Sequence, residues 1–409
     1  MKSDLDALMQ ERNFDAILVF GAAENNPPMT YLTGGGHVSG AALVKKRGGK
    51  TILVCNPMER EEAAQSGLEV HLYDEYPIDG QGGDSARTLA LRLRAILSSL
   101  QVSGRVGVYG HVDFGPLFAM LSHFQTLMPE VQLVGEPREN GLFLYAMETK
   151  DESEVARIRR MGQITTQVVD LTRDYLTSCA VRADEVLLKE DGTPLTIGDV
   201  KSKIRLWLAE RGAEPREGFI FAIGHDAGVP HSTGNSMDYL RLGQTIVFDI
   251  YPAEVGGGYF YDFTRTWSLG YATPEAEQLY HQVWNVYREI VERLQVNASF
   301  KYYQALACEL FEKEGHKTPR TEKTPLEGYV HSLGHGVGLN IHERPMSGLT
   351  ASEDNLLKPG VVITIEPGLY YPEKGMGIRI EDTYWVRPDG QFERLAEYPY
   401  DFVLPMKGG

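Results

Sequence analysis

The sequence predicts an α+β fold, in which a large domain of helices and antiparallel hairpins follows a smaller α/β domain. At 409 residues the chain is long enough for two domains. In the first 145 residues, strand-like runs alternate with helical spacing of apolar residues, which indicates a partly parallel sheet. After residue 148, strand pairs followed by helices occur twice, which is typical of a pseudo-duplicated α+β domain.

The smaller domain is expected over residues 1–147. Its predicted elements are the helices Asp4–Glu11 and Asp84–Leu100 and the strands Ala16–Phe20, Ala41–Lys45, Lys50–Cys55, Gly104–Tyr109 and Val131–Val134. The second and third strands flank an Arg-Gly-Gly turn, which predicts a hairpin. No GxGxxG motif precedes a helix, so a nucleotide site is unsupported.

The larger domain is expected over residues 148–409. Near Met147–Asp151 the strand-like residue pattern gives way to polar residues typical of a helix start. Helical spacing then continues to about Leu176. The other predicted elements are the helices Arg182–Lys189, Thr196–Arg211, Thr273–Val296 and Tyr302–Gly315 and the strand Phe219–Ile223.

The first chemical feature is a pair of aspartates on a predicted hairpin. Thr245–Tyr251 and Tyr259–Ser268 are rich in β-branched and aromatic residues and are joined by a glycine-rich turn. If the turn is centred at Val255–Gly256, Asp249 and Asp262 are symmetric about it. In an antiparallel pair they would then be cross-strand neighbours, with Cβ atoms roughly 5 Å apart.

A second hairpin repeats this arrangement with glutamates. Gly360–Glu366 and Gly377–Val386 flank a turn rich in proline and glycine, Tyr371–Gly375. The midpoint between Glu366 and Glu381 falls inside that turn. We therefore expect these two glutamates to face each other as well.

Carboxylates that face each other on apolar strands repel, and burial of even one unpaired charge is strongly unfavourable. Two such hairpins therefore indicate a common cation. Four carboxylates and an imidazole, without cysteine, suit a pair of Mn²⁺-, Co²⁺- or Zn²⁺-like ions better than a structural zinc. The alternative is that each acid pairs with a nearby arginine, Arg265 or Arg379, in an ordinary ion network.

Three histidines, His331, His335 and His342, fall within twelve residues just before the second hairpin. Glycines bracket His335, so backbone and solvent can approach it closely. A single histidine in such a place is usually a satisfied core residue. Three of them beside a carboxylate pair favour a metal site instead.

These residues resemble the pita-bread metallopeptidases, the family of aminopeptidase P, prolidase, methionine aminopeptidase and the creatinase relatives. The segments DFTRTW, HSLGHGVG, TIEPGLY and GIRIED carry the resemblance, which is strong over residues 148–405 and looser over Met1–Tyr145. The five metal ligands of the family carry over to Asp249, Asp262, His335, Glu366 and Glu381. Twelve residues separate the two aspartates where the family usually has ten, which we interpret as a longer turn.

The resemblance implies a pita-bread catalytic domain, a creatinase-type N-terminal domain and two divalent metal ions. We expect Mn²⁺, with Co²⁺ or Zn²⁺ as alternatives. It also implies the Xaa-Pro branch, because His331 and His342 flank the metal histidine and His231 lies upstream in GHDAGVPH.

The resemblance further implies roles for individual residues. Glu366 would be both a metal ligand and the general base for a metal-activated water. His231 and His342 would stabilise the oxyanion, and His331 would seat the residue after the scissile bond. Arg379 would orient a carboxylate ligand and contribute to substrate binding.

The expected activity is hydrolysis of the N-terminal Xaa-Pro bond of a peptide or dipeptide, by an aminopeptidase P or a prolidase. The sequence does not separate these two. A dipeptidase must bind the proline carboxylate, and the segment between His342 and Glu366 offers only Arg344 and Lys358 as bases. A creatinase-like amidinohydrolase and a non-catalytic binding protein are alternatives on the same fold, but neither needs all five ligands.

The sequence leaves the role of one segment and of one residue open. Pro27–Gly35 is predicted to be a turn-rich loop. It is either a plain connection or, by the resemblance, a rim over a substrate pocket of its own or of a partner subunit. Tyr370 either lines the site or packs in the core. The resemblance also implies a homodimer. The N-terminal domain of ~145 residues and the extra histidines disfavour a methionine aminopeptidase.

Composition limits the partners and the compartment. The net charge of −16, from 56 acidic and 40 basic residues, argues against nucleic acid or an anionic membrane as a partner. Three distant cysteines without CxxC spacing fit a reducing compartment. The first residues are too charged for a signal peptide, and no apolar run approaches the ~18 residues of a membrane helix. We therefore expect a cytoplasmic protein.

Overall fold

The computed structural model describes residues 4–78 and 84–407. The chain separates into two compact units: Met1–Met147 with Gly256–Gly258, and Glu148–Val255 with Tyr259–Gly409. The first three and last two residues of the predicted domain ranges lie outside the described residues. Mixed helices and sheets occur in both units, so the predicted α+β class is confirmed.

The N-terminal unit is built on one mixed sheet. Its strands are β1 Ala16–Gly21, β2 Ala41–Lys46, β3 Thr51–Cys55, β4 Glu69–Leu72, β5 Gly104–Gly110 and β6 Val131–Val134, and its helices are α1 Leu5–Glu11, α2 Pro27–Thr33, α3 Arg60–Ala64, α4 Ser85–Ser99, α5 Phe114–Leu127 and α6 Leu142–Ala146. The strand order is β4-β3-β2-β1-β5-β6. The pairs β1–β2 and β2–β3 are antiparallel and the others are parallel, as the sequence pattern predicts.

The prediction of a loop over Pro27–Gly35 is wrong, because this segment forms helix α2. Proline is tolerated in the first helical turn, where its missing N–H would have no helical partner. The Asn26 side chain fixes the entry by donating to the backbone oxygens of Phe20 and Ala22, at 2.8 and 2.9 Å. The helix ends at Gly34, whose φ of 81° is the left-handed conformation that glycine adopts readily.

The C-terminal unit carries long helices and short strands. Its helices are α7 Glu152–Ser178, α8 Ile197–Ala209, α9 Gly224–Ala227, α10 Pro274–Glu292 and α11 Phe300–Lys313. Its strands are β7 Ala180–Val181, β8 Leu187–Leu188, β9 Ala213–Glu214, β10 Phe219–Ile223, β11 Thr245–Ile250, β12 Ala253–Glu254, β13 Phe263–Leu269, β14 His335–Gly336, β15 Glu343–Met346, β16 Val362–Ile365, β17 Gly368–Tyr371, β18 Met376–Arg379, β19 Asp382–Val386, β20 Phe392–Arg394 and β21 Val403–Leu404.

Helix α7 begins where the sequence predicts, because Asp151 and Glu154 form a reciprocal capping box. The Asp151 carboxylate accepts from the backbone N–H groups of Ser153 and Glu154, and the Glu154 carboxylate accepts from the Asp151 N–H. Thr273 caps α10 in a similar way, by accepting from the N–H of Ala276.

The predicted helix over Arg182–Lys189 is wrong. The chain instead forms the antiparallel pair β7–β8, and Glu185 has a left-handed φ of 67°. Arg182 donates through Nε and Nη2 to the carboxylate of Asp184, at 2.7 and 2.8 Å, which favours a tight turn at this point. Local turn contacts and strand pairing therefore override the helical spacing.

Two sheets position the residues of interest in the C-terminal unit. Their strand orders are β10-β11-β13-β21 and β15-β14-β16-β19-β20, and β17–β18 forms a separate ribbon. An antiparallel bridge between Thr264 and Glu381 joins the two predicted hairpins. Helices α10 and α11 pack against the second sheet and the ribbon, in a core that includes Val283, Phe311 and Ile363.

The three cysteines, Cys55, Cys179 and Cys308, are all free thiols. No helix within residues 4–78 and 84–407 is long and apolar enough to cross a membrane.

Candidate metal centre

The first carboxylate hairpin forms as predicted, but its register differs. Asp249 pairs with Thr264, so Asp262 lies two positions from the direct cross-strand partner of Asp249. The turn is centred one residue later than predicted, between Gly256 and Gly257. Their φ values of 85° and 89° are left-handed, and glycine adopts this conformation at little cost.

The second hairpin has the predicted register. Ile365 pairs with Asp382 in β16–β19, and β17–β18 continues the same register toward the turn. The intervening positions, Glu366 and Glu381, are therefore opposite each other, in the gap between the two ladders.

Side chains from four segments converge beside these hairpins. Ligand-type atoms of Asp262, His335 and Glu381 all lie within 4.8 Å of one another, and all three residues are buried. His335 Nε2 lies 3.5 Å from Asp262 Oδ2 and 3.3 Å from Glu366 Oε1. His335 Nδ1 donates to the oxygen of Gly336 at 3.1 Å, which directs Nε2 toward the carboxylates.

Two of the buried carboxylates each leave one oxygen without a hydrogen bond. Asp249 Oδ2 accepts from Arg379 Nη2 at 2.5 Å, and Glu381 Oε2 accepts from Thr264 Oγ1 at 2.7 Å. Asp249 Oδ1 and Glu381 Oε1 are buried and have no hydrogen-bond partner among the described residues. Buried acceptors of this kind need a counterpart, so this donor set fits a divalent cation.

Burial and mutual repulsion shift the protonation of these acids. Burial, followed by the charge of Asp249, raises the pKa of Asp262 well above its usual value. Burial, followed by the charge of Asp262, does the same to the pKa of Glu381. Burial also raises the pKa of Asp249, although Arg379 opposes this effect. The cluster therefore cannot hold four negative charges without added positive charge.

The pKa values of Glu366 and His335 are shifted in opposite directions by their contact with each other. Burial would raise the pKa of Glu366, but its hydrogen bond to His335 lowers that pKa to about 2. Burial would lower the pKa of His335, but Glu366 and Asp262 raise it to about 9. A proton on His335 Nε2 thus occupies the position from which the neutral ring would bind a cation.

The other predicted histidines lie around the same cavity. His331 is hydrogen-bonded through Nε2 to the Tyr370 hydroxyl at 2.9 Å, and burial lowers its pKa to about 4. The His342 ring lies 4.3 Å from the His335 ring, measured between centroids. His231 and His342 are exposed to solvent at the cavity.

The ion-network alternative accounts for only one of the four acids. Arg379 contacts Asp249 and also donates through Nη1 to the Tyr370 hydroxyl at 2.6 Å. Arg265 instead pairs with Asp382 at 2.9 Å, away from the predicted ligands. Tyr370 is fully buried and is bonded to both Arg379 and His331, so it is part of the polar network as well as of the core.

The cavity has a volume of about 360 Å³ and brings together every predicted site residue. Six other residues line the cavity without having been predicted from the sequence: Glu217, Ile220, Tyr251, Ser332, Ile341 and Met346. Tyr251 could have been found, because it lies two residues after Asp249, and alternate residues of a strand share a face. Glu217 carries no such signal.

The two bases considered for a dipeptide carboxylate lie elsewhere. Arg344 Nε is 3.4 Å from Glu148 Oε1, and Lys358 Nζ is 2.9 Å from Glu148 Oε2. Neither lines the cavity. Among the residues that the structure describes there, Arg379 is the only lysine or arginine.

Comparisons with known proteins agree on the family. Residues 156–388 match the model of metallopeptidase family M24, and residues 2–135 match the creatinase/prolidase N-terminal domain. An Xaa-Pro dipeptidase of Pyrococcus furiosus is 33% identical over 193 residues, which are 47% of this chain and 51% of that protein. The match thus spans about half the length of that relative. An uncharacterized peptidase of Methanocaldococcus jannaschii is 31% identical over 251 residues, 61% of this chain and 63% of that protein.

Solved structures show the same fold at lower identity. An Xaa-Pro dipeptidase from Bacillus anthracis has a TM-score of 0.76 at 20% identity, with 98% of both chains covered. An X-Pro aminopeptidase from Thermotoga maritima has a TM-score of 0.72 at 22% identity, with 96% of this chain and 99% of that chain covered. At these identities the likeness is one of fold.

Proposed function

The chain belongs to metallopeptidase family M24, and from this membership we propose that it is a metal-dependent exopeptidase that hydrolyses N-terminal Xaa-Pro bonds. Membership of this family implies the use of divalent metal ions. One observation carries the proposal: four buried or half-buried carboxylates and one imidazole line a single cavity, with two carboxylate oxygens unpaired. The names of the similar dipeptidases and aminopeptidase support the Xaa-Pro specificity.

We propose that Asp249, Asp262, His335, Glu366 and Glu381 bind two divalent ions. The donor set supports this, because oxygen and imidazole ligands without thiolates suit Mn²⁺, Co²⁺ or Zn²⁺. When bound, such ions supply Lewis acidity for the scissile carbonyl and make water nucleophilic near neutral pH.

Glu366 is proposed as the general base. Its Oε1 faces His335 Nε2, and its Oε2 lies 3.9 Å from His331 Nδ1. Oε2 would accept a proton from the attacking water and pass it to the departing prolyl nitrogen.

The three histidines other than His335 are proposed to act on the substrate. His342 and His231 would donate a hydrogen bond to the oxygen that becomes negative during attack. His331 would contact the proline after the scissile bond, and its Nε2 is held by the Tyr370 hydroxyl. Arg379 would hold Asp249 in place and neutralise part of the acidic cluster.

Three peptides test the proposal and separate its two forms. Protein loaded with Mn²⁺ is incubated with Ala-Pro, Ala-Pro-Ala and Ala-Ala, and free alanine is measured. Cleavage of Ala-Pro alone identifies a prolidase, and cleavage of Ala-Pro-Ala identifies an aminopeptidase P. If no peptide is cleaved, or if Ala-Ala is the best substrate, the proposal fails.

We also propose a cytoplasmic homodimer that uses Mn²⁺, with domains at 1–147 and 148–409. The division of the chain into two compact units near Met147 supports the domain limits. The three free thiols support a reducing compartment. Light scattering tests the dimer, and elemental analysis of protein purified without added metal tests the choice of ion.

A further inference from the structure

We propose that Glu217 and Tyr251 form the subsite for the side chain of the first substrate residue, and that this subsite favours lysine or arginine there. The inference rests on the proposed exopeptidase function and names its substrate class. Both residues line the cavity that contains the acidic cluster. Neither belongs to the proposed ligand set or to the proposed catalytic histidines.

Strand pairing places the two residues at the same end of the β10–β11 ribbon. Strands β10 and β11 are antiparallel, and Phe219–Ile250 is the last pair at one end. Glu217 lies in the turn two residues before Phe219, and Tyr251 directly follows Ile250, so both lie at the same end of the ribbon. Asp249 lies on β11 two residues before Tyr251, which puts the subsite next to the metal-binding wall.

The position fits the part of the substrate before the scissile bond. The residues proposed to contact the proline and the developing oxyanion include His331 and His342, which lie in the segment around β14. Asp249 lies on β11 of the other sheet, and Glu217 and Tyr251 lie just beyond the ends of β10 and β11. We therefore place the side chain of the first substrate residue against this end of the β10–β11 ribbon.

Glu217 gives this side of the cavity a negative charge that no nearby basic side chain among the described residues neutralises. Glu217 is exposed, and its carboxylate makes no hydrogen bond or ion pair with the described part of the chain. The neighbouring Arg216 lies over the ring of Phe260, with its guanidinium carbon 5.7 Å from the ring centroid. Within the described lining, the only arginine is Arg379, which is already bonded to Asp249.

A lysine or arginine side chain would gain two interactions at this position. Its charge would pair with the Glu217 carboxylate, and its cationic end could lie against the Tyr251 ring. An alanine side chain would gain neither interaction. A glutamate side chain would be repelled by Glu217 as well as by the acids deeper in the cavity.

The experiment measures kcat/KM for Lys-Pro-Ala, Ala-Pro-Ala and Glu-Pro-Ala with Mn²⁺-loaded enzyme, and for Lys-Pro, Ala-Pro and Glu-Pro if the enzyme proves to be a prolidase. We expect the wild type to prefer Lys-Pro-Ala over Ala-Pro-Ala by about tenfold, from an ion pair and a cation–π contact together. Glu217→Gln should lower this ratio severalfold, to the part that the cation–π contact with Tyr251 contributes. Glu217→Lys should reverse the order, so that Glu-Pro-Ala becomes better than Lys-Pro-Ala.

A matched control removes an equal charge from outside the cavity. Glu214 lies on β9, three residues before Glu217, and does not line the cavity. Glu214→Gln should keep the wild-type ratio. The wild-type preference should also decline with salt, because the screening length falls from about 30 Å at 0.01 M to about 3 Å at 1 M ionic strength.

The outcomes separate this inference from the proposed function. If Ala-Pro-Ala is cleaved but the lysine preference is absent, or is unchanged in Glu217→Lys, the subsite is wrong while the exopeptidase stands. If Glu217→Gln lowers kcat/KM equally for all three peptides, Glu217 binds the terminal ammonium group and the side-chain assignment is overturned. If the wild type cleaves neither the tripeptides nor the dipeptides, both proposals fail. Thermal melts of each variant verify that it is folded.

Discussion

Glu366 is the least enclosed of the four acids that line the cavity, with 15% of its side chain exposed. Asp249 and Asp262 expose 12% and 7% of theirs, and Glu381 is buried. The other acids are fixed or surrounded by Arg379, Thr264 and the strand backbone. Glu366 is therefore the acid best placed to exchange a proton with a water molecule that enters the cavity.

Replacement of Glu366 by glutamine should remove this proton transfer while preserving the size of the side chain. We expect kcat for Xaa-Pro peptides to fall by ~10²–10⁴-fold, the usual contribution of a general base. The melting temperature should change little. Steady-state kinetics, with metal content measured on the same sample, check the result and separate lost base function from lost metal.

Glu373 offers a control on the same hairpin. It is exposed in the turn between β17 and β18, and Glu373→Gln should keep wild-type kcat. Retention of activity in Glu366→Gln would show that another group takes the proton.

Arg379 is a buried cation that donates hydrogen bonds to Asp249 and to the Tyr370 hydroxyl, and it thereby stabilises the acidic cluster. Arg379→Met would leave Asp249 buried without its counter-charge. Loss of one partner of a buried pair costs roughly 3–5 kcal/mol, so we expect the metal-free variant to be destabilised by this amount. Denaturant unfolding in EDTA provides the measurement.

The same variant should lose less stability when Mn²⁺ is present, because a bound cation would supply part of the missing positive charge. An equal loss with and without Mn²⁺ would contradict the placement of Asp249 in the metal site. Arg216→Met is a suitable comparison, since Arg216 has no acidic partner among the described residues.

The sequence predicts which residues form the site better than it predicts the hydrogen-bond partners of those residues. The motifs around His335, Glu366 and Glu381 identify residues that the structure brings into one cavity. The bond from Arg379 to Asp249 crosses between two hairpins, and Thr264 holds Glu381 only through the bridge that joins them. Such contacts depend on tertiary register, which a single sequence pattern does not determine.

At the scale of elements, the segment from Gly336 to Glu343 is held by a buried ion pair. Glu343 Oε2 accepts from Lys150 Nζ at 2.7 Å, and Glu343 Oε1 accepts from the Asn340 N–H at 2.9 Å. Both charged side chains are almost fully buried. A side chain at Gly338 would collide with the Glu343 carboxylate, so the segment folds closely around the pair. This arrangement positions His342, which immediately precedes Glu343.

Lys150→Met should therefore destabilise the protein by roughly 3–5 kcal/mol, because Glu343 would remain buried and unpaired. The double variant Lys150→Met with Glu343→Leu should recover part of this loss. Chemical denaturation of both variants and of Glu343→Leu alone gives the interaction free energy. A single-variant loss that the double variant fails to reduce would show that the pair is not coupled.

An exposed pair in the same unit serves as the control. Lys301 Nζ lies 2.8 Å from Glu353 Oε1, and 75% of the Glu353 side chain is exposed. Lys301→Met should leave the unfolding curve almost unchanged, because water already solvates both charges.

Hairpins proved more predictable than the segments between them. The glutamate hairpin has the expected register because its turn, Pro372–Lys374, lies at the midpoint of the two strands. The aspartate hairpin is shifted because its turn contains three consecutive glycines, which leave several centres open. Spacing alone predicts a helix over Arg182–Lys189, but a contact between Arg182 and Asp184 instead favours a turn there.

At the scale of the whole molecule, the acidic cluster belongs to one compact unit. Asp249, Asp262, His335, Glu366 and Glu381 all lie in the unit that begins at Glu148. The apolar core of the N-terminal unit is built around β1, β5, α4 and α5 and contains none of these residues. Removal of metal should therefore affect the unfolding of one unit directly.

We expect EDTA to lower the melting temperature of the C-terminal unit and to abolish peptidase activity. Four carboxylates repel one another without cations, and ligand binding stabilises the folded state by about 2.7 kcal/mol at a free metal concentration of 100 Kd. Differential scanning calorimetry with excess Mn²⁺ and with EDTA gives the shift.

The double variant Asp262→Asn with Glu381→Gln carries less repulsion and fewer ligands, so its transition should respond weakly to either addition. A wild-type melting curve that is identical with Mn²⁺ and EDTA would contradict a shared metal site. A curve that shifts equally in the double variant would place the bound metal elsewhere.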